Sequence, residues 1–377
     1  MSTYLVGRDP NKYGGHQQSY LQQVDSIVEE TAAAFHTAVE GKKDLEELFH
    51  ETLATLGANR HDMAVAHKTK NADLFGIRRD QEPFASPAVI TPLHHPYDEY
   101  NERLLPILQK HLRTMKHTLY EFEQKELKIE ETCLGRAWSM EFAILSHEDM
   151  TKWGFSFNSE SYQRLCTLCA IPPSQEPLES SHFSELVVNK TAMQNLKKAS
   201  PEDYKRLKIA IAILEIREIY KKERKSDWVL VTVRSEIDGK MYALSQYLTW
   251  LNRNFEEDPV ENMTNRSIIS IIHQDPFLIE PMLKDIAKIF KKAIEWKDGN
   301  IKTLKEDVEL LDCELHHAMP FKRGSAAVSE WLEKAIYRYH EFNLTYNPKK
   351  MVNLEALTSS FNQFVENYDS MIELTMQ

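Results

Sequence analysis

LQKHLRTMKHTLYEFEQKELKIEETC, Leu108–Cys133, is the stretch on which the fold reading turns. Leu108, Leu112, Met115, Leu119, Phe122, Glu126, Ile129 and Cys133 follow one another in steps of 4, 3, 4, 3, 4, 3 and 4, the spacing of a single helix face. Working outward, the same pattern extends over Tyr100 to Leu145. Further helical patterns run through Gln17 to Val39, Leu45 to Leu56, Arg60 to Lys68, Ser181 to Lys198 and Pro201 to Lys225. They resume at Met241 to Phe255, Met263 to His273, Phe277 to Trp296, Ile301 to His317, Ser325 to His340 and Leu354 to Leu374. With only 11 glycines in 377 residues, and long runs of Glu, Lys, Leu and Ala, which are good helix formers, the spacing predicts an all-α fold. Only Asp227 to Ile237 reads as a strand, and it continues a helix equally well.

Two stretches interrupt the pattern. Asn71 to Asp98 carries Pro83, Pro87, Pro92 and Pro96, and Ala170 to Ser180 carries Pro172, Pro173 and Pro177, so neither is one continuous helix. The first is expected to wrap the surface as an ordered loop; the second is the expected connector between two helical layers.

The chain has 46 basic and 57 acidic residues, a net charge of −11, and 42% of it is hydrophobic. That is enough apolar matter for a sizeable core. The acidic balance argues against a nonspecific nucleic-acid binder, because phosphates are neutralised by a basic surface. Four scattered cysteines, Cys133, Cys166, Cys169 and Cys313, predict free thiols rather than a disulfide framework. The polar start MSTYLVGRDPNKYGG predicts no Sec signal peptide. Apolar runs such as Ile209 to Leu214 fall well short of the ~20 residues that span a bilayer.

Three polar residues occupy apolar positions. Glu126 sits on the stripe just described. His67 follows Leu53, Leu56, Arg60 and Met63 in steps of 3, 4, 3 and 4, which also turns Arg60 inward. Asn189 lies on the stripe Leu186, Asn189, Met193, Leu196. A charge on a buried face must be paired, hydrogen-bonded or neutralised. Each of the three reads equally as a satisfied core group, but together they suggest a polar pocket between helices.

Metal is a weaker reading. Arg60-His61-Asp62 contains the His-Asp pair of HD phosphohydrolases but not its remaining ligands, and Cys166-x-x-Cys169 is half of a zinc site. The adjacent pairs His94-His95 and His316-His317 diverge on a helix and do not chelate alone. No metal or cofactor is predicted. Met319-Pro320-Phe321-Lys322-Arg323-Gly324-Ser325-Ala326-Ala327 reads as a helix start. Gly324 supplies a turn, Ser325 supplies a cap, and the free amides beside Lys322 and Arg323 form an anion pocket. An ordinary capped helix with exposed basic residues reads the same. The common nucleotide-binding and hydrolase motifs are absent.

On His67, Glu126 and Asn189, the helical layout and HHAMPFKRGSAA, His316–Ala327, the chain resembles the phosphodiesterase domain of the SidE-family effectors of Legionella. It looks most like the stand-alone members that act as deubiquitinases for phosphoribosyl-linked ubiquitin, the Dup proteins. The resemblance implies one phosphodiesterase domain over 1–377 with a helical sub-lobe around 200–300, no cofactor, and delivery by a type IV secretion system into host cytoplasm. The implied partners are phosphoribosylated or ADP-ribosylated ubiquitin and serine-ubiquitinated host proteins.

His67 would attack the phosphodiester and carry a phosphohistidine, and Glu126 would hold its other ring nitrogen. Asn189 stands where the family has a second catalytic histidine. An amide does not titrate near neutral pH, and losing a general acid costs about 10²- to 10⁴-fold in rate, so the enzyme is expected to be impaired or to trap its intermediate. From composition alone, Arg60, Lys322 and Arg323 are candidates to balance phosphate charge. Two alternatives stay open: a ubiquitin-binding scaffold without turnover, and a metal-dependent HD-type phosphohydrolase.

Overall fold

The computed structural model describes residues 10–81, 90–93, 97–119, 127–133, 136–145, 166–167, 195, 198–200, 226–237, 239–252, 268–297 and 299–377. The chain forms two compact units. One comprises residues 1–79, 132–135 and 277–377, the other residues 80–131 and 136–276.

The first unit is mainly helical. Its described helices are α1 Pro10–Glu40, α2 Leu45–Ala66, α4 Pro276–Ile294, α5 Ile301–Ala318, α6 Ser325–Tyr339, α7 Val352–Thr358 and α8 Phe361–Met371, with a short two-stranded sheet of β7 Phe342–Tyr346 and β8 Ile372–Met376. At its centre is α6, packed against α1, α2, α5 and β7. Because neighbours cover it on several sides, its buried set includes Val328, Trp331, Leu332, Ala335 and Ile336 but also Ser329, Glu330 and Glu333. No polar face is left over, which is the mark of a helix enclosed by other elements. Phe35, Phe49 and Phe290 form an aromatic knot among α1, α2 and α4.

Gly57 does not interrupt α2, which runs unbroken through it. The glycine instead permits close approach, for a Cβ there would lie 2.7 Å from Phe321 Cε1. Conversely, the last helical pattern is divided. Ser360 and Gln363 form a capping box that starts α8 after α7 has ended at Thr358.

The second unit overturns the all-α expectation. It contains a six-stranded sheet in the order β1-β6-β5-β4-β3-β2, built from β1 Ile90–Pro92, β2 Leu127–Cys133, β3 Arg136–Leu145, β4 Ser226–Ile237, β5 Lys240–Asn252 and β6 Ser270–Ile272. One helix of this unit, α3 Asp98–Leu119, is described. The fold is therefore mixed α and β. The reason is visible in the register: Phe142 faces Val231, Val231 faces Tyr247, and Tyr247 faces Ile271, giving a row of side chains that bury an apolar face. Residues one position along, Glu141, Thr232 and Gln246, lie on the opposite face. There Arg234 Nε meets Glu141 at 2.9 Å, and Gln246 Nε2 donates to Thr232 Oγ1 at 3.1 Å. The pattern has a period of two.

The 4-3 stripe of Leu108–Cys133 is true helix only as far as Leu119. Ile129 and Cys133 belong to β2, where spacing by four falls on one strand face as readily as on one helix face. Asp227 to Ile237 is strand, as are most of Met241 to Phe255 and the end of Met263 to His273.

Candidate functional site

In the first unit, the chain leaves α5 with Met319 in a left-handed conformation, φ 44°, runs through Pro320–Arg323, and enters α6 at Gly324 with φ 90°. This connection is laced to residues 75–79. Gly76 N donates to Arg323 O at 3.0 Å, Lys322 N to Ile77 O at 2.9 Å, and Arg79 N to Pro320 O at 2.9 Å. Arg79, fully buried, also donates through Nη1 to Met319 O at 2.9 Å. Gly76 lies so close to α2 that a Cβ on it would sit 1.9 Å from Gly57 O. The start of α6 is thus held from two sides.

Ser325 does not cap the helix it begins. Its hydroxyl accepts from Phe321 N and donates to Phe321 O, both at 3.0 Å. The N-cap position is Gly324, which has no side chain to offer, and no side-chain cap bond forms. The first helical bond is Val328 N to Gly324 O. The earlier amides leave this helix end suited to an anion, with the helix dipole adding positive character.

Arg60 of α2 lies directly against this end. A Cβ on Gly324 would be 2.7 Å from Arg60 Cγ and 3.1 Å from its Nε. The Arg60 side chain is 2% exposed, and its guanidinium stacks over Phe75 at 4.3 Å from the ring centroid. Its Nε is enclosed without a hydrogen-bond partner, and among the described residues no acceptor closes on the guanidinium. Burial lowers its pKa, opposed by the nearby Tyr20 and Glu330. Lys322 adds a second cation, half-buried. Burial brings its pKa down to about 8, with Asp73 opposing the shift and Arg79 reinforcing it. Arg323 is exposed at the same turn.

Beneath lie further polar groups. Tyr20 of α1 is buried, and its hydroxyl has no partner. Burial raises its pKa far above the usual phenol range, while Arg60 and the Trp331 indole pull it down and Glu330 pushes it up. Behind Glu330, His316 Nδ1 meets Asp312 Oδ2 at 3.2 Å, and Ser329 Oγ donates to Asp312 Oδ1 at 2.8 Å. Burial disfavours the charged imidazole of His316, but Asp312 and Glu330 outweigh it and raise its pKa. His317 is driven the other way, to about 4, by burial and the neighbouring His316. Glu333 accepts from the hydroxyls of Tyr346 and Tyr368. Its burial and the Asp312 charge hold its pKa well above the carboxylate range.

Of the residues singled out in the sequence, Arg60, Lys322 and Arg323 gather around the α6 start. His67 is the C-cap of α2, half-buried, edge-on to Tyr20 with ring centroids 6.1 Å apart, and its Nε2 is enclosed without a partner. Glu126, Asn189, Cys169, His94 and His95 lie outside the described residues. His61 and Asp62 join no group of three or more His, Cys, Asp or Glu side chains able to hold a metal among the described residues. Cys166 and Cys313 are free and buried. Sequence reasoning did not find Tyr20, Arg79, Glu330 and Trp331. Glu330 lies in a helix buried nearly all round, so no amphipathic stripe marks it out.

Residues 230–375, under half of the chain, match the AvrB_AvrC family model, described as an avirulence protein. No curated protein matches. The match contains α5, α6 and the connection between them. It overturns the resemblance to the SidE-family phosphodiesterases, and with it cleavage of phosphoribosyl-linked ubiquitin and the Legionella attribution. A shared helical layout carried that resemblance, and the sheet removes it. Among the described residues no helix is long and apolar enough to cross a membrane. The expectation of a secreted bacterial effector acting in a host cell agrees in its general form with the AvrB_AvrC family, whose members are secreted effectors of that kind, and over residues 230–375 this chain is similar to them.

Proposed function

We propose that the chain is a secreted effector that binds a phosphate-bearing ligand at the N-terminus of α6, held by the helix amides, Arg60, Lys322 and Arg323. One observation carries the reading: the Arg60 guanidinium is buried against Gly324 with no acceptor. A buried cation ordinarily has an anionic or hydrogen-bonding partner, and an uncapped helix start beside it is where an anion supplies one. Titration calorimetry with inorganic phosphate tests it. Binding that falls at least about tenfold in Arg60→Gln, the loss expected for one charge-assisted hydrogen-bonding group, supports the reading. Equal affinity in both proteins contradicts it.

His67 favours turnover of the bound ligand. It shares Tyr20 with Arg60, and its enclosed Nε2 is free to take or give a proton. Hydrolysis of bis(p-nitrophenyl) phosphate that is lost in His67→Gln and persists with a chelator supports an enzyme. Persistence in His67→Gln removes His67 from that role. Type IV secretion into host cytoplasm is our proposal for delivery and rests on the effector similarity alone. A translocation reporter fused to the chain, compared in wild-type and secretion-deficient bacteria, decides it.

A further inference from the structure

We propose that Glu330 is a positioning residue for Arg60, one that balances the buried guanidinium without occupying its donors. This rests on the anion site proposed above and adds the group that keeps it ready. Glu330 is 1% exposed on α6, Arg60 2% exposed on α2 and Tyr20 7% exposed on α1. Arg60 feels both Tyr20 and Glu330, and Tyr20 feels both Arg60 and Glu330, so the phenol, the cation and the carboxylate form one cluster spanning three helices. A guanidinium stripped of water needs a counter-charge. A carboxylate in direct contact would supply one but would take up the forked donors that recognise phosphate. Here the charge acts from across the cluster, and Arg60 Nε remains without an acceptor. The Phe75 ring on the guanidinium face and Gly324 against the stem fix its orientation. Charge is satisfied while hydrogen-bonding capacity is kept for the ligand.

The two roles open to Glu330 predict opposite signs. As a mere nearby negative charge it repels an anion, and its removal strengthens phosphate binding. As the positioning residue its removal weakens binding, through Arg60. The experiment is a double-mutant cycle read by titration calorimetry with inorganic phosphate, using the native chain, Glu330→Gln, Arg60→Gln and the double variant, with Glu330→Asp as the charge-retaining control. Melting curves confirm that each variant is folded at the working temperature. The expected result is a loss of about tenfold in affinity for Glu330→Gln, substantial recovery in Glu330→Asp, and no further loss when Glu330→Gln is added to Arg60→Gln. Unchanged or tighter binding in Glu330→Gln overturns the proposal while leaving the anion site standing. An equal loss in the Arg60→Gln background also overturns it, since Glu330 would then act on the fold and not through Arg60. Absence of phosphate binding in the native chain sinks the site and this proposal together.

Discussion

Arg60 and Gly324 touch: the arginine stem fills the space where any side chain at position 324 would begin, with Cγ 2.7 Å from an ideal Cβ. The contact ties the interior of α2 to the first residue of α6, and it sets a requirement that glycine meets twice, in space and in backbone conformation, at φ 90°. Gly324→Ala is therefore expected to push Arg60 out of its stack on Phe75 and to abolish phosphate binding, with a stability cost of about 1–3 kcal/mol. Calorimetry and chemical denaturation on the same sample check both. Full phosphate affinity in Gly324→Ala would show that Arg60 needs no such seat.

Lys322 gives the site a pH dependence. Burial brings its pKa to about 8, so its ammonium is largely charged at pH 7 and largely neutral at pH 9. Anion affinity is expected to fall across that interval. Sulfate is the suitable probe, because its own charge is constant there. In Lys322→Gln the slope between pH 7 and 9 should vanish, and persistence of the slope would assign it to another group. Stability runs the other way. A folded-state pKa below the unfolded value means that the unfolded chain binds more protons between about pH 8 and 10.5, so stability gains from this group as pH rises through that window.

Glu309 on α5 is buried, and burial together with Asp369 raises its pKa to about 8, opposed by Lys305. A raised folded value means that its contribution is fully present at acid pH and is lost as pH climbs from about 4.5 towards 8. Glu309→Gln is expected to raise the melting temperature above pH 8 by roughly 2–6 °C and to have little effect near pH 4. A pH-independent change would remove the carboxyl's ionisation as the cause.

Gly76 supports the α6 start from the other side. It adopts φ 68°, and a Cβ would lie 1.9 Å from Gly57 O, which is backbone and cannot turn aside. Gly76→Ala is expected to cost about 3 kcal/mol or more and to loosen the 75–79 segment from Pro320–Arg323. Hydrogen exchange at the Lys322 and Gly76 amides, both bonded across that pair of strands, reports it directly. Unchanged protection would contradict the packing described.

The helical unit was legible because its patterns are long and of one period. Ser325 to His340 and Ile301 to His317 agree with α6 and α5 to within a residue. The sheet was not, because Ile129 and Cys133, spaced by four, satisfy a strand face as well as a helix face, and the alternation of Trp138, Met140 and Phe142 with Ser139 and Glu141 carries the deciding period of two. Counting apolar residues by helical steps passed over it. At the site, Arg60 was readable as inward-facing, and Lys322 and Arg323 as flanking a helix start. Ser325 was expected to cap; its hydroxyl is engaged with Phe321 instead, and that is what leaves the helix amides open. The Tyr20 and Glu330 partners could not be read, since they come from helices remote in sequence and meet only in the folded unit.

The central claim is that the α6 start and Arg60 together receive an anion. A crystal structure of the chain grown with tungstate, a heavy phosphate analogue visible by its anomalous signal, tests this most directly. The account predicts tungstate within hydrogen-bonding distance of the first amides of α6 and of the Arg60 guanidinium, with Arg60 still stacked on Phe75. A structure in which Arg60 is bound to a carboxylate of the protein, with no anion at the helix start, would contradict it.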